Sequence, residues 1–444
     1  MKHPRYSEYR ASGVDWLGEV PAHWHVRRLR FLASTNPLGS RMTGVAENSM
    51  VSFVPMDAVG EYGGLRLDTE RELAEISAGY TYFADGDVVL AKITPCFENG
   101  KGALASGLTN GVAFGTTELH VLRPDTALDR RYLFYLTIAH SFRKLGESEM
   151  FGAGGQKRVP ESFIKDFRTP LPPPDEQRTI AAFLDRETAR IDALIATKRR
   201  FIALLQEKRA ALISHAVTRG LDPDAPLKDS GIAWLTSVPA SWQVRRLRFL
   251  FDMTGGMTPD KAEPSYWDGD IPWVTPKDMK VDVLSDSEDH ITPDAIGGTG
   301  LSMVPANAVL LVVRGMILIH SIPVALTTAP VTINQDMKAL IATKEIHPVY
   351  LAWMLRGIRD LLLTLVEESG HGTKALRTDV FRSIKVPLPS RSEQVRIVEK
   401  LACEVQRMDA LRAAAQRAIK LLGERRASLI AGAVTGRLDT RTAA

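Results

Sequence analysis

The residues of this chain best suited to chemistry are hydrogen-bond donors set in glycine loops. Gly152-Ala-Gly-Gly-Gln-Lys-Arg158 and Gly370-His-Gly-Thr-Lys-Ala-Leu-Arg377 each stand shortly before a Pro-Leu-Pro triplet. Glycine lets a backbone approach another surface closely. Gln156, Lys157, Arg158, Thr373, Lys374 and Arg377 carry the N–H and O–H groups that suit phosphate oxygens and base edges. Lys92-Ile-Thr94 and Val313-Arg314-Gly315 also correspond, each closing a short apolar run, which adds Lys92, Thr94 and Arg314 to the candidates. The alternative reading of such loops is a flexible turn. Their recurrence at matched positions in otherwise dissimilar stretches favours binding.

Signatures of catalysis are missing. No Gly-x-x-x-x-Gly-Lys-[Ser/Thr] is present, no Gly-x-Gly-x-x-Gly follows a strand, and no His-Glu-x-x-His occurs. The Asn/Asp-Pro-Pro-aromatic tetrad of an amino-methyltransferase and the Glu-x-Lys of a magnesium nuclease are absent as well. The ten histidines lack metal-ligand spacing. Two cysteines, Cys96 and Cys403, cannot make a disulfide framework, so a cytoplasmic, reducing location is expected. The longest apolar runs, near 308–313 and 316–319, are broken by Arg314-Gly315 and are too short for a membrane span. A net charge of +4 is mild, but Arg27-Arg28-Leu-Arg30, Arg245-Arg246-Leu-Arg248 and Lys198-Arg199-Arg200 concentrate it. For such triplets a solvated face or an acidic partner competes with phosphate. Trp267 and Trp273 suit either base stacking or a core, the commoner fate.

What must position these loops is written twice. Val20-Pro-Ala-His-Trp-His-Val-Arg-Arg-Leu-Arg-Phe-Leu32 returns as Val238-Pro-Ala-Ser-Trp-Gln-Val-Arg-Arg-Leu-Arg-Phe-Leu250, and Pro170-Leu-Pro…Glu176-Gln177 returns as Pro387-Leu-Pro…Glu393-Gln394. Duplicated residues serve what the halves share. Trp24, Trp242, Glu176, Gln177, Glu393 and Gln394 are therefore assigned to scaffold or to docking of a shared partner.

Ile180, Leu184, Ile191, Leu194, Leu205 and Leu212 recur at helical steps after Pro172-Pro173-Pro174, with Asp175 as the expected N-cap. They predict a helix from about Glu176 to Val217, roughly 42 residues and about 60 Å long. Ile397, Leu401, Met408, Leu411, Leu422 and Leu429 repeat the stripe 217 positions later, behind Ser392 as expected cap. A pseudo-two-fold axis passing between these helices would pack them antiparallel, in the manner of a coiled coil and as a spacer. The segment 218–226 is a Gly/Pro/Asp-rich linker, and the chain's end, Thr435-Gly-Arg-Leu-Asp439, repeats its opening, as if a circle had been cut at one linker. The inserts between anchors, about 33–169 and 251–386, mix strands (Asp87–Ala91, Glu118–Leu122, Ala308–Val313, Lys338–Ile341) with helices (Arg130–Lys144, Pro348–Glu367).

The chain resembles the DNA-specificity subunits of type I restriction-modification enzymes along essentially its whole length. The resemblance rests on Gly13-Val-Asp-Trp-Leu-Gly-Glu-Val-Pro-Ala-His-Trp24, Lys92-Ile-Thr-Pro-Cys-Phe-Glu-Asn-Gly-Lys101, Gly115-Thr-Thr-Glu-Leu-His-Val-Leu-Arg-Pro124, Asn334-Gln335-Asp336 and the two Pro-Leu-Pro…Glu-Gln anchors. It implies a mixed α/β fold with two target-recognition domains held apart by paired antiparallel helices. Its boundaries here are residues 1–174 (first recognition domain), 175–220 (first spacer helix), 221–390 (linker and second recognition domain) and 391–444 (second spacer helix and tail). It implies a non-catalytic subunit of a bacterial defence complex that reads a bipartite double-stranded DNA target. Two methyltransferase subunits would bring S-adenosylmethionine and flip the adenine. Restriction subunits would bring ATP-driven translocation and magnesium. No cofactor is expected on this chain. A helical adaptor that binds no DNA and an orphan methyltransferase are the competing readings.

Overall fold

The computed structural model describes residues 4–37, 45–368 and 372–441. The chain divides into two compact units, one of residues 1–198 with 416–444, the other of residues 199–415. Both are mixed α/β.

In the first unit, a hairpin of Tyr9–Ala11 and Glu19–Pro21 leads to strand His25–Arg28, which pairs antiparallel with Arg168–Leu171. The main sheet runs in the order Ala33–Thr35, Leu119–Pro124, Val88–Ala91, Gly102–Leu104. Val88 to Ala91 are buried on both faces, which is why the run reads as continuously apolar and does not alternate. A second sheet orders Glu70–Glu72, Met50–Val54, Val112–Gly115 and Thr81–Ala84, with Val112–Gly115 parallel to Met50–Val54. The helix Arg130–Ile138 is capped by Asp129, whose carboxylate accepts from the Arg131 and Tyr132 amides. Trp24, Tyr132, Phe142, Ile180, Leu184, Ile191, Leu429 and Val434 share one core.

The second unit repeats this plan in register. Tyr9↔Pro21 becomes Leu227↔Pro239, Arg28↔Arg168 becomes Arg246↔Lys385, and Ala33↔Pro124 becomes Phe251↔Ala342. Its main sheet orders Phe251–Gly255, Met337–Ala342, Val309–Val312, Val324–Thr327 and Val283–Leu284, one strand more than the first. Its smaller sheet again holds a parallel pair, Trp267–Val274 with Thr332–Ile333. Trp242, Tyr350, Phe381, Ile213, Val217, Ile397 and Leu401 share its core. Trp273 is buried in a satellite cluster with Ile291 and donates to the Met257 carbonyl, so its role is packing.

The long helices span Pro174–Arg219 and Arg391–Val434. Within the first unit, Arg426 donates to Asp192 at 2.6 Å, and the Tyr132 hydroxyl lies 3.2 Å from the carbonyls of both Pro170 and Val434. The end of the second helix thus stands beside the start of the first. In the second unit the polarity is the same: Gly220, one residue past the first helix, adjoins Glu393 in the opening turn of the second.

Several expectations need correction. The first helix starts at Pro174, a favoured first helical position, so Asp175 lies inside the turn and is no cap. Ser390, not Ser392, caps the second: its hydroxyl accepts from the Glu393 amide and its carbonyl from the Gln394 amide. Leu194 and Leu411, counted in the apolar stripes, are exposed, and Leu205 and Leu422 are only half-buried. The helix expected over 130–144 breaks at Ala139, whose ψ of 139° is extended, and resumes over His140–Ser148. The helix expected over 348–367 ends in two pieces by Leu363. Val366–Glu368 instead forms a strand against Lys374–Leu376, because β-branched Val366 finds a cross-strand partner in Leu376.

Candidate nucleic-acid interface

In the first unit, strand Val88–Ala91 delivers Lys92, Ile93 and Thr94 to the sheet edge. The Lys92 amide donates to the Glu118 carbonyl at 2.9 Å, and the Val159 amide donates to the Lys92 carbonyl at 2.8 Å. Thr94 clamps the glycine loop: its amide donates to the Lys157 carbonyl, its hydroxyl donates to Gly155 at 2.8 Å and accepts from the Lys157 amide at 3.0 Å. At Gly152 a Cβ would stand 2.3 Å from the Gln156 carbonyl oxygen, so only glycine fits. The result is a tied loop with Gln156 and Lys157 exposed at its tip. Neither side chain has a hydrogen bond or ion pair among the described residues, which leaves both available to a ligand. Arg158 is differently placed. It forms a two-pronged pair with Glu118, at 2.9 and 2.7 Å, which holds the Glu118 carboxyl below the usual carboxylate range. His120 backs the loop: its Nε2 meets the Val159 carbonyl at 2.9 Å, and burial pushes the imidazole pKa down, so the ring donates there as a neutral group.

The second unit builds the same edge from different residues. Val313 donates to the Asp336 carbonyl, Gly315 to the Lys374 carbonyl, and Leu376 to the Val313 carbonyl. Gly315 thus occupies the place of Thr94, Lys374 that of Lys157, and Asp336 that of Glu118. Arg314 is exposed, 4.0 Å from Asp336, so here the arginine beside the carboxylate comes from the strand end and not from the loop. Residues 369–371 of the second loop, including Gly370 and His371, lie outside the described residues. Thr373 is half-buried, Lys374 pairs with Glu368 at 2.8 Å, and Arg377 pairs with Asp379 at 2.6 Å and Glu367 at 3.7 Å. Met316, Ile317 and Ile319, next to Gly315, are exposed apolar residues with no counterpart after Thr94.

The structure brings the candidates Lys92, Thr94, Gln156, Lys157 and Arg158 to one sheet edge, and Arg314, Thr373, Lys374 and Arg377 to the equivalent edge of the second unit. Sequence reasoning did not single out Glu118 or Asp336 as site residues. Their 218-residue separation, matching that of the tryptophans, was the signal available. Chemically, such an edge can donate to phosphates and base edges, and its one carboxylate, Glu118 in the first unit and Asp336 in the second, can accept from amino groups. Among the described residues no group of three or more His, Cys, Asp or Glu is placed to hold a metal, and no helix is long and apolar enough to cross a membrane.

Within the duplicated anchors the tryptophans and glutamines are built into the frame. Trp24 and Trp242 are fully buried; Trp24 Nε1 donates to Glu176, which also meets His23 Nε2 at 2.8 Å. Gln177 accepts from the Asp129 amide at 2.7 Å and donates to the Ala127 and Pro172 carbonyls. Gln394 does the same for the His347 amide and the Glu345 and Pro389 carbonyls. Each glutamine stitches the first turn of a long helix to the cap of its unit's packing helix. No surface of either tryptophan or glutamine is left for a partner, while Glu393 is half-buried. Gln177→Ala or Gln394→Ala orphans three backbone groups, so at roughly 1–3 kcal/mol per buried unsatisfied group we expect a stability loss of about 3 kcal/mol or more. Urea unfolding of the full chain measures it, and an unchanged midpoint would refute the assignment.

A family model described as the type I restriction modification DNA specificity domain matches residues 74–202 and 239–411. The chain is 41% identical over 164 residues to the EcoAI specificity subunit of Escherichia coli, covering 36% of this chain and 27% of that one. It is 31% identical over 254 residues to the EcoR124I/EcoR124II specificity subunit of Escherichia coli, covering 56% and 59%. The match thus spans about a quarter and somewhat over half of those relatives. Among solved structures, a chain from work on complex assembly and conformational transition of the type I R-M system aligns with a TM-score of 0.73 at 19% identity, over 94% of this chain and 99% of that one. The HsdS subunit from Thermoanaerobacter tengcongensis aligns with a TM-score of 0.55 at 18% identity, over 94% and 98%. At such identities the structural likeness speaks for the fold alone.

Proposed function

The chain belongs to the type I restriction-modification DNA specificity family, and from that premise we propose that it is a recognition subunit whose two units each read one half of a bipartite double-stranded DNA target. The observation that carries this reading is the pair of equivalent sheet edges. The same backbone hydrogen bonds present Lys157 in one unit and Lys374 in the other, while the side chains around them differ. A common edge with unlike decoration is what two readers of unlike half-sites require.

In this reading the lysines position the duplex by its phosphates. Gln156, Arg314 and the carboxylates Glu118 and Asp336 meet base edges, and the exposed Met316 and Ile317 suit thymine methyl groups. The antiparallel helices set the spacing between half-sites, roughly one turn of DNA or about 34 Å. Two methyltransferase subunits dock on the chain and supply S-adenosylmethionine. Restriction subunits supply ATP-driven translocation and magnesium-dependent cleavage, and this chain contributes recognition without catalysis.

The test uses the full chain assembled with its methyltransferase subunits. Binding to target DNA weakens with salt, and Lys157→Ala and Lys374→Ala each make the slope of log affinity against log salt shallower by about 0.9, one phosphate's share. Unchanged affinity and slope in the double variant would remove these edges from the interface. A helical adaptor would show no salt-dependent DNA binding at all.

A further inference from the structure

Phe31 is 65% exposed and its counterpart Phe249 is 56% exposed, although both sit in the best-preserved stretch of the duplication, residues 26–32 and 244–250. The leucines of that motif, Leu29 and Leu32 in one copy and Leu247 and Leu250 in the other, are core residues at 2% exposure or less. Among the apolar residues of the motif the phenylalanine is the exposed one, twice, at the same position. An exposed aromatic ring kept in register in both halves is a mark of an interaction surface and not of a core.

The ring lies along a groove of about 450 Å³ walled by Val14, Val26, Arg27, Arg28 and Arg168. The counterpart positions hold Ile232, Val244, Arg245, Arg246 and Lys385, the same chemistry in the same order. The register that fixes them is also the same, Arg28 opposite Arg168 and Arg246 opposite Lys385. Asp166 takes up Arg28 and Arg30, and Glu345 stands 3.6 Å from Arg245. Arg27 and Arg168, and in the second unit Arg246 and Lys385, make no ion pair among the described residues, so two cations stay unneutralised beside each phenylalanine's strand pair. Val14 and Arg168 continue the first groove into a second lobe of about 390 Å³, where Trp16 stacks on Phe167. Trp234 holds the place of Trp16 in the second unit.

The shared chemistry selects the occupant. A duplex backbone rewards donors but gains nothing from an exposed phenyl ring, whereas aromatic and arginine side chains together are the anchors typical of protein–protein contacts. A surface repeated in both halves, beside inserts that diverge, suits two copies of one partner. We propose that Phe31 and Phe249, each with its basic neighbours on the paired strands, are two copies of one docking site, each taking an acidic segment with an apolar anchor from one methyltransferase subunit. The inference rests on the function proposed above and adds the site and the chemistry of contact.

The experiment mixes the full-length chain with its methyltransferase subunit and counts bound copies by native mass spectrometry, with titrations for affinity. The wild type takes two copies. Phe31→Glu and Phe249→Glu each lose one, by about 30-fold or more in affinity at that position, and the double variant takes none. Arg27→Glu acts in the same direction and Phe31→Leu retains binding, while unchanged thermal unfolding of each variant excludes a folding defect. If the double variant still takes two copies at wild-type affinity, the docking site is refuted and the recognition function stands. If it takes two copies but loses DNA, these surfaces belong to DNA and the proposal is likewise overturned. A wild-type chain that takes no methyltransferase subunit refutes the function itself, and the site with it.

Discussion

Exchanging residues 251–386 for the corresponding insert of another family member changes one half of the methylated DNA sequence and leaves the other half, and the gap, as they were. The junctions fall where the frame meets the insert. Phe251 opens the edge strand paired to Met337–Ala342, and Val386 lies opposite Arg245 in the strand pair that both units share. Outside those junctions remain Trp242, Leu247 and Gln394, the last tying the second long helix to the unit through the His347 amide. Arg314, Lys374 and Asp336 travel with the exchanged insert, whereas Lys92, Gln156 and Lys157 stay behind. The expected effect is complete replacement of one half-site, since each wrong base pair costs about 1–3 kcal/mol. Sequencing that detects methylated bases in a strain carrying the hybrid reads the result. A change in both halves would contradict independent reading heads.

Inserting four residues into both long helices, near Ala196 and Ala413, lengthens the unspecified gap and leaves both half-sites intact. Four residues add about 6 Å of helix, close to two base pairs at about 3.4 Å each. The insertion points avoid the cores. Ile180, Leu184 and Ile191 pack in the first unit and Ile213 and Val217 in the second, whereas Leu194 and Leu411 beside the insertions are exposed. Because four residues exceed the 3.6 of one turn, the helix faces after the insertion rotate by about 40°, so some loss of affinity accompanies the new spacing. The same sequencing assay measures it, and a new half-site with the old gap would contradict the role of the helices as spacer.

The duplicated frame was legible because its residues are buried in both copies. Trp24 and Trp242, Gln177 and Gln394, and the paired leucines keep their identity under one packing constraint imposed twice. The correspondence of Lys92-Ile-Thr94 with Val313-Arg314-Gly315 was legible for a related reason, since a buried apolar strand ends abruptly where donors begin. Tertiary context hid the rest. Ala139 has good helical propensity, yet it adopts an extended ψ between two helices that pack separately. The run 348–367 read as helical throughout, and only the partner strand at Lys374–Leu376 turned its end into a hairpin. The pairing of Arg158 with Glu118 joins residues 40 apart, beyond the reach of any local pattern. The outward turn of Phe31 beside inward leucines follows from a short 3-10 helix over Leu29–Phe31, which periodicity of 3.6 does not describe.

The most direct measurement is the DNA sequence methylated when the full chain is expressed with its methyltransferase subunits in a host free of other modification systems. The account predicts one interrupted target, two dissimilar half-sites about a turn of DNA apart with the bases between them free to vary. A continuous target, two identical half-sites, or methylation that persists when this chain is omitted would contradict it.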